Sequence, residues 1–169
     1  MIDYAQIRDD IISELTTFLG HKVIVMDDNH PKPKYPFMTF NIINPYTPES
    51  PHGNETYMAV ASTDPDWEYD IIEIRSEQPT ITISMTAYSC ELDEAEELAL
   101  QALSWFKFYG LDYLDDKEIV IIETTQVQER DTLLINDYER RKGFDVKIRV
   151  LSELENRIST IETVDLKRK

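Results

Sequence analysis

From Thr80 to Ala87 the chain alternates without a break. Thr80, Thr82, Ser84 and Thr86 fall on one side of an extended backbone, and Ile81, Ile83, Met85 and Ala87 on the other. Successive strand side chains point to opposite faces, so this run commits the chain to a sheet with one buried face and one wetted face. Phe144, Val146, Ile148 and Val150 repeat the pattern against Asp145, Lys147 and Arg149. An apolar sheet face needs a covering layer. Two helical stripes supply it: Ile7, Ile11, Leu15 and Phe18 or Leu19 within Tyr4–Leu19, and Ala95, Leu98, Ala99, Ala102, Leu103 and Phe106 within Asp93–Phe106. Both recur at helical spacing.

Local signals place the rest. Gly20 suits a left-handed helix stop, and Glu91, Asp93, Glu94, Glu96 and Glu97 crowd the start of the second helix, where negative charge complements the dipole. Gly110 is expected to end that helix. Lys22–Met26, Phe37–Ile43, Tyr69–Arg75, Glu118–Thr124 and Thr132–Ile135 are further strand candidates. Pro45, Pro48, Pro51 and Pro65 make Asn44–Asp66 read as a long loop, and Gln128–Gly143 reads as a second one. Beyond Glu153 the pattern weakens; Ile158, Ile161 and Val164 fit a helix or a bulged strand, with an extended tail over 156–169. The expected fold class is α+β, a mostly antiparallel sheet with two main helices packed on one face, in a single domain over 1–169.

Composition limits the function classes. Ile, Leu, Val and Phe supply 46 of 169 residues, enough for a packed core. With 33 acidic and 17 basic side chains the formal charge is −16, which disfavours nonspecific nucleic-acid binding. Residues 1–129 carry −18 and residues 130–169 carry +2, so the acidic face of one copy has a less acidic end to meet on another. The runs Val23–Met26 and Ile119–Ile122 fall far short of a membrane span, and MIDYAQIRDD lacks the segments of a signal peptide; neither membrane insertion nor export is expected. Cys90 is the single cysteine, so neither an internal disulfide nor a cysteine-built zinc site is available.

Chemistry is sparse. His21, His30 and His52 are the only imidazoles, and Asp27-Asp28-Asn29-His30 lacks the glycine and distal glutamate of a calcium-binding loop. It reads as a polar turn before proline. The Glu91–Glu97 carboxylates are explained by their helix start. Four glycines leave little for a phosphate-cradling loop. WFKFY, Trp105 to Tyr109, has the aromatics to stack bases, but at the end of an amphipathic helix core and rim packing accounts for it. No catalytic, cofactor-binding or metal-binding residue is assigned.

Four stretches together resemble the neck or tail-terminator proteins of long-tailed bacteriophages, especially those infecting Gram-positive hosts. They are YPFMTFNIINPYTPE (Tyr35–Glu49), EQPTITISMTAYSCELDEAEELA (Glu77–Ala99), WFKFYG (Trp105–Gly110) and VQERDTLLINDYERRKGFDVKIRVLSELE (Val127–Glu155). The resemblance implies a compact α+β subunit, not an enzyme and without a cofactor. It implies a ring, usually a hexamer, at the head-proximal end of the tail tube, made in the bacterial host cytoplasm and built into the virion neck. Its partners would be itself, the tail tube protein and the head connector or completion proteins. Six copies would carry −96, six times −16, and an acidic lumen would let DNA pass without specific binding.

Head-to-tail closure needs two different patches on each subunit. The candidates are the acidic 91–97 and 112–118 regions, with Glu94, Glu97, Asp115 and Asp116, against Arg140, Arg141 and Lys142. Two other classes compete. An acidic DNA-mimic inhibitor would occupy a basic groove on a partner protein, and a metal-dependent hydrolase would be built from scattered Asp and Glu.

Overall fold

A computed structural model describes residues 1–26, 31–50, 53–133 and 138–159. In chain order the elements are α1 (Tyr4–Leu19), β1 (Val23–Val25), β2 (Phe37–Thr47), β3 (Asn54–Ala61), β4 (Tyr69–Glu77), β5 (Thr80–Ser89) and α2 (Leu92–Ser104). A π-helical turn (Trp105–Tyr109) then leads to α3 (Leu111–Asp115), β6 (Ile119–Thr124), β7 (Gln128–Glu129), β8 (Thr132–Leu133), β9 (Tyr138–Val150) and β10 (Ser152–Ser159). The fold is α+β, as the periodicities predict.

The main sheet runs β1-β2-β5-β9-β6, with β7 and β8 also on β9. Among the described residues only the β1–β2 pair is parallel. Ile81, Ile83, Met85 and Ala87 of β5 lie beside Phe144, Val146, Ile148 and Val150 of β9 in one buried cluster. Ile7, Ile11, Leu15 and Leu19 of α1 and Ala95, Leu98, Ala99 and Ala102 of α2 join the same cluster, so both helices clad one face. Asp3 caps α1 by accepting from the Gln6 backbone N–H at 3.0 Å, and Gly20 closes it at φ 67°, a conformation glycine adopts without steric cost.

The second helix ends otherwise than expected. The Gly110 N–H donates to the Trp105 carbonyl at 2.8 Å, a five-residue turn that the chain crosses on its way to α3. Gly110 has φ −93°, so backbone freedom is not why glycine stands there. A Cβ at that position would lie 2.4 Å from the Trp105 indole; the missing side chain makes room for the tryptophan.

Two expected loops are strands. Within Asn44–Asp66, β2 continues to Thr47 and β3 spans Asn54–Ala61. Pro45 is tolerated because the pairing with β5 shifts register between Ile42 and Asn44 and again before Thr47, and an irregular ladder does not need its missing N–H. Among the described strands β3 pairs with β4 alone, and it is exposed along nearly its whole length, so it lacks a buried face to betray it. Within Gln128–Gly143, β7 and β8 pair with β9, and residues 138–143 are the first half of β9. Their charges conceal a strand whose backbone runs opposite Thr86–Ser89. Residues 156–159 continue β10 as a strand. Asp27–His30, His52, Ile135, Ile161 and Val164 lie outside the described residues.

β4, β10 and β3 form a separate three-stranded sheet, ordered β10-β4-β3. It is the main sheet's central pair continued. Thr80 stands opposite Arg149 and Glu77 opposite Ser152, so the two strands cross the junction in step. The Val150 N–H donates to the Pro79 carbonyl at 3.2 Å between them. The paired strands therefore leave the core as an arm about 25 Å long, at roughly 3.3 Å per residue.

Two substitutions test this packing. Leu98→Ala, at a buried site, is expected to cost about 2–5 kcal/mol. Gly110→Ala forces the tryptophan to move and is expected to cost about 1–3 kcal/mol. Urea midpoints measure both; losses under about 0.5 kcal/mol at both sites would show the α2 and π-turn packing to be misassigned.

Candidate functional site

The arm is a surface that the core leaves uncovered. None of the described residues of β3, β4 or β10 belongs to the hydrophobic core. Tyr57, Met58, Tyr69, Leu154 and Ile158 are exposed. Cross-strand register puts Ala59, Ile71 and Ile158 in one row and Met58, Ile72 and Arg157 in the next, so both faces present apolar side chains. Ionic contacts hold the arm's far end. Arg157 Nε donates to Asp70 at 2.7 Å and its Nη2 to the Ala61 carbonyl at 2.6 Å, while Ser62 donates to the other Asp70 oxygen at 2.9 Å. The Arg157 hydrogen bond leads the contacts that hold the Asp70 carboxyl below its usual range. The alternation of Tyr57, Ala59 and Ala61, and the isoleucines 71, 72 and 74, were the available sequence signals for this surface.

At the start of β9 the basic residues turn to their own chain. Arg140 donates to Asp131 at 2.9 Å, Arg141 to Glu139 at 2.6 Å, and Lys142 to Glu129 at 3.3 Å. Glu139 is the centre of this end: its side chain is 2% exposed and also accepts from Lys32 and Tyr35. Burial alone would push its carboxyl up, but the bonds from Lys32, Tyr35 and Arg141, with the Arg141 charge, hold it below the ordinary range.

The acidic candidates divide. Glu94 accepts from Ser89, the residue opposite Arg140 in the β5–β9 ladder, and Glu97 accepts from Gln101 at 3.2 Å. Glu96 and Lys142 line one groove. The helix start thus lies at the same end of the molecule as Arg140, Arg141 and Lys142. Asp115 and Asp116 are exposed and lie just before β6, whose Ile119 pairs with Val150 at the far end of β9. That separation is about 30 Å along the strand, at roughly 3.4 Å per residue.

The π-helical turn sorts its aromatics. Trp105 and Phe106 are buried, whereas Phe108 is 73% and Tyr109 63% exposed. Trp105 and Phe106 meet edge-on at 4.8 Å, and Phe106 reaches Phe144 of β9 at 6.0 Å. The inner pair is core packing, and the outer pair is left at the surface.

The sequence of these elements, arm and aromatic turn included, matches the family model described as phage neck terminator protein over residues 9–167. The chain belongs to the phage neck terminator family. It is a structural protein of the phage tail and neck, with its place at the head–tail junction. Nothing among the curated proteins matches it. Among the described residues, the chain has no group of three or more His, Cys, Asp or Glu placed to hold a metal, and no helix long and apolar enough to cross a membrane.

The contacts around Glu139 predict that this end of β9 loses stability in acid. A carboxyl held low in the folded state contributes stability that is present above its unfolded pKa of about 4.3 and is lost as pH falls through the folded value. Asp131 is also held low: burial opposes this, but the Arg141 backbone N–H and Arg140 overcome it. Thermal midpoints should fall as pH drops from about 6 to about 3. Glu139→Gln should lower stability at pH 7 and flatten part of that slope; an unchanged slope would show that Glu139 is not linked to folding.

Proposed function

We propose that copies of this chain close into a ring, a hexamer, at the head-proximal end of the tail tube. There the ring stops tube polymerisation and offers its other side to the head connector and completion proteins. The observation that carries the proposal is the match to the neck terminator family along residues 9–167. The fold supports it with surfaces suited to assembly. An arm that presents apolar side chains among charged ones on both faces, outside the core cluster, is suited to be a contact element, because exposed apolar surface rimmed by polar residues marks interaction sites. Residues 1–169 act in the ring as one domain, and assembly uses binding rather than catalysis or a cofactor.

Closure by rotation needs unlike patches at two places on each subunit. In this reading Asp115 and Asp116 at one end of β9 face the end that carries Arg140, Arg141 and Lys142 on the next copy. Glu94 and Glu97 border that basic end and set how deeply the neighbour approaches. The lumen is acidic in net charge, so DNA phosphates pass without a specific site.

Native mass measurement and negative-stain imaging, with and without purified tail tubes, test the proposal. Ring species or capped tube ends are expected; a protein that forms no ring and leaves tubes growing would overturn it. Asp115→Lys combined with Asp116→Lys is expected to weaken assembly, and the defect should ease as salt rises from 0.05 to about 0.5 M and screens the new repulsion. Normal assembly by this variant would remove the charged ends from the interface while leaving the ring.

A further inference from the structure

The two borders of α1 differ in shape and in charge. Asp10, Glu14 and Phe18 follow one border of the buried stripe Ile7, Ile11, Leu15 and Leu19, and Arg8 and Ile12 follow the other, since residues four apart share a helix face. Along the first border, the Tyr113 hydroxyl donates to the Asp10 carbonyl at 3.4 Å and Lys117 lies 3.3 Å from the Asp10 carboxylate. The Tyr109 ring stands 5.3 Å from Phe18, and Phe108 meets Tyr109 edge-on at 5.1 Å. These contacts prop a convex knob whose outermost rings are Phe108 and Tyr109. Along the second border, α1 and β1 leave a groove of about 810 Å³. Ile12, Val23, Ile24, Val25 and Met26 form its apolar walls, with Arg8, Asp9 and Lys22 also lining it. A cleft of this size and lining has room for aromatic side chains.

We infer that the Phe108–Tyr109 knob of one copy seats in the α1–β1 groove of the next, an assignment that rests on the ring reading above. The occupant is a second copy because the same chain carries both halves of the contact. A convex aromatic patch and a concave apolar one on opposite borders of one helix form the heterologous pair that a closed ring requires. The charges also match. Asp112, Asp115 and Asp116 follow the knob and outnumber Lys107 and Lys117, while among the described residues that line the groove Arg8 and Lys22 outnumber Asp9. Val23 stands in the sheet row that runs through Met38 and Ala87 to Lys142, so the groove opens level with the basic end of β9. Rigid aromatics set in a pocket carry much of the energy of protein interfaces. Charge on either side then orients the approach.

The test uses paired cysteines in the full chain. With exposed Cys90 replaced, Cys90→Ser carrying both Tyr109→Cys and Met26→Cys is oxidised after incubation with tail tubes. A covalent ladder extending to ring size is expected from the double variant and from neither single variant, because unlike residues face each other in a heterologous contact. Phe108→Ser with Tyr109→Ser should lower the ring fraction at least tenfold at fixed concentration without altering the unfolding midpoint by more than a few degrees. If wild type forms rings but the double-cysteine chain crosslinks no more than the single variants, the knob and groove are not partners and only the ring reading survives. Serine variants that form normal rings but fail to cap tubes would give the knob to the tube protein instead, which also overturns the inference. A wild type that neither forms rings nor caps tubes overturns the ring reading and this contact with it.

Discussion

The pairing of β5 with β9 is the constraint on which the rest of the structure depends. Ten residue pairs in unshifted register, from Ser89 opposite Arg140 to Thr80 opposite Arg149, fix which side chains face the helices and which face water. A slip of one residue would turn Ile81, Ile83 and Met85 outward together with their partners. The same register also reaches beyond the core. Because the strands stay in step past Pro79 and Leu151, the arm inherits its alignment from the buried pair, and its apolar rows are set by residues some distance away. Core and contact element are one ladder.

The helical layer handles its aromatics by a change of pitch. A continuous α-helix through Trp105–Tyr109 would have rotated each ring about 100° from the last, whereas the wider turn sends Trp105 and Phe106 inward and leaves Phe108 and Tyr109 outside. π-Helical turns recur at functional sites. The turn is closed by the backbone bond from Gly110 to Trp105 and by the space that glycine leaves for the indole. Packing, capping and surface chemistry therefore converge on five residues.

Much of this was legible in the residues. The α1 boundaries, Tyr4 to Leu19, followed from a four-residue apolar step and a glycine stop, and β5 and the second half of β9 from strict alternation. These signals are strong because each element has one buried face. Within the arm β4 was legible from Tyr69 to Arg75, but β3 was hidden for the opposite reason: it buries neither face, and the alternation of Tyr57, Ala59 and Ala61 is too weak to set it apart from a proline-flanked loop. Tyr138–Gly143 was hidden by charge, since Glu139, Arg140, Arg141 and Lys142 read as solvated when all four are paired within their own chain. Sequence displays a charge but not its partner. The candidate contact residues were accordingly legible as charged patches, while their division between two ends of β9 emerged only from the register.

That division bears on what can hold an acidic ring together. Each subunit brings −16, so like charges accumulate with every copy added. At physiological salt their repulsion fades beyond about 8 Å, yet opposite charges at exposed positions contribute only about 0–1 kcal/mol per pair. Arg140, Arg141 and Lys142 have further reason to contribute little, because a cation already bound to Asp131, Glu139 or Glu129 must share or exchange its partner to bind a neighbour. Attraction sufficient to offset the accumulated charge has to come from surface withdrawn from water. Burial is worth roughly 25 cal/mol for each Å² of apolar area, and exposed aromatics and the two-faced arm are where this fold holds such area in reserve. Charge can choose the orientation in which copies meet; the apolar surfaces have to keep them there.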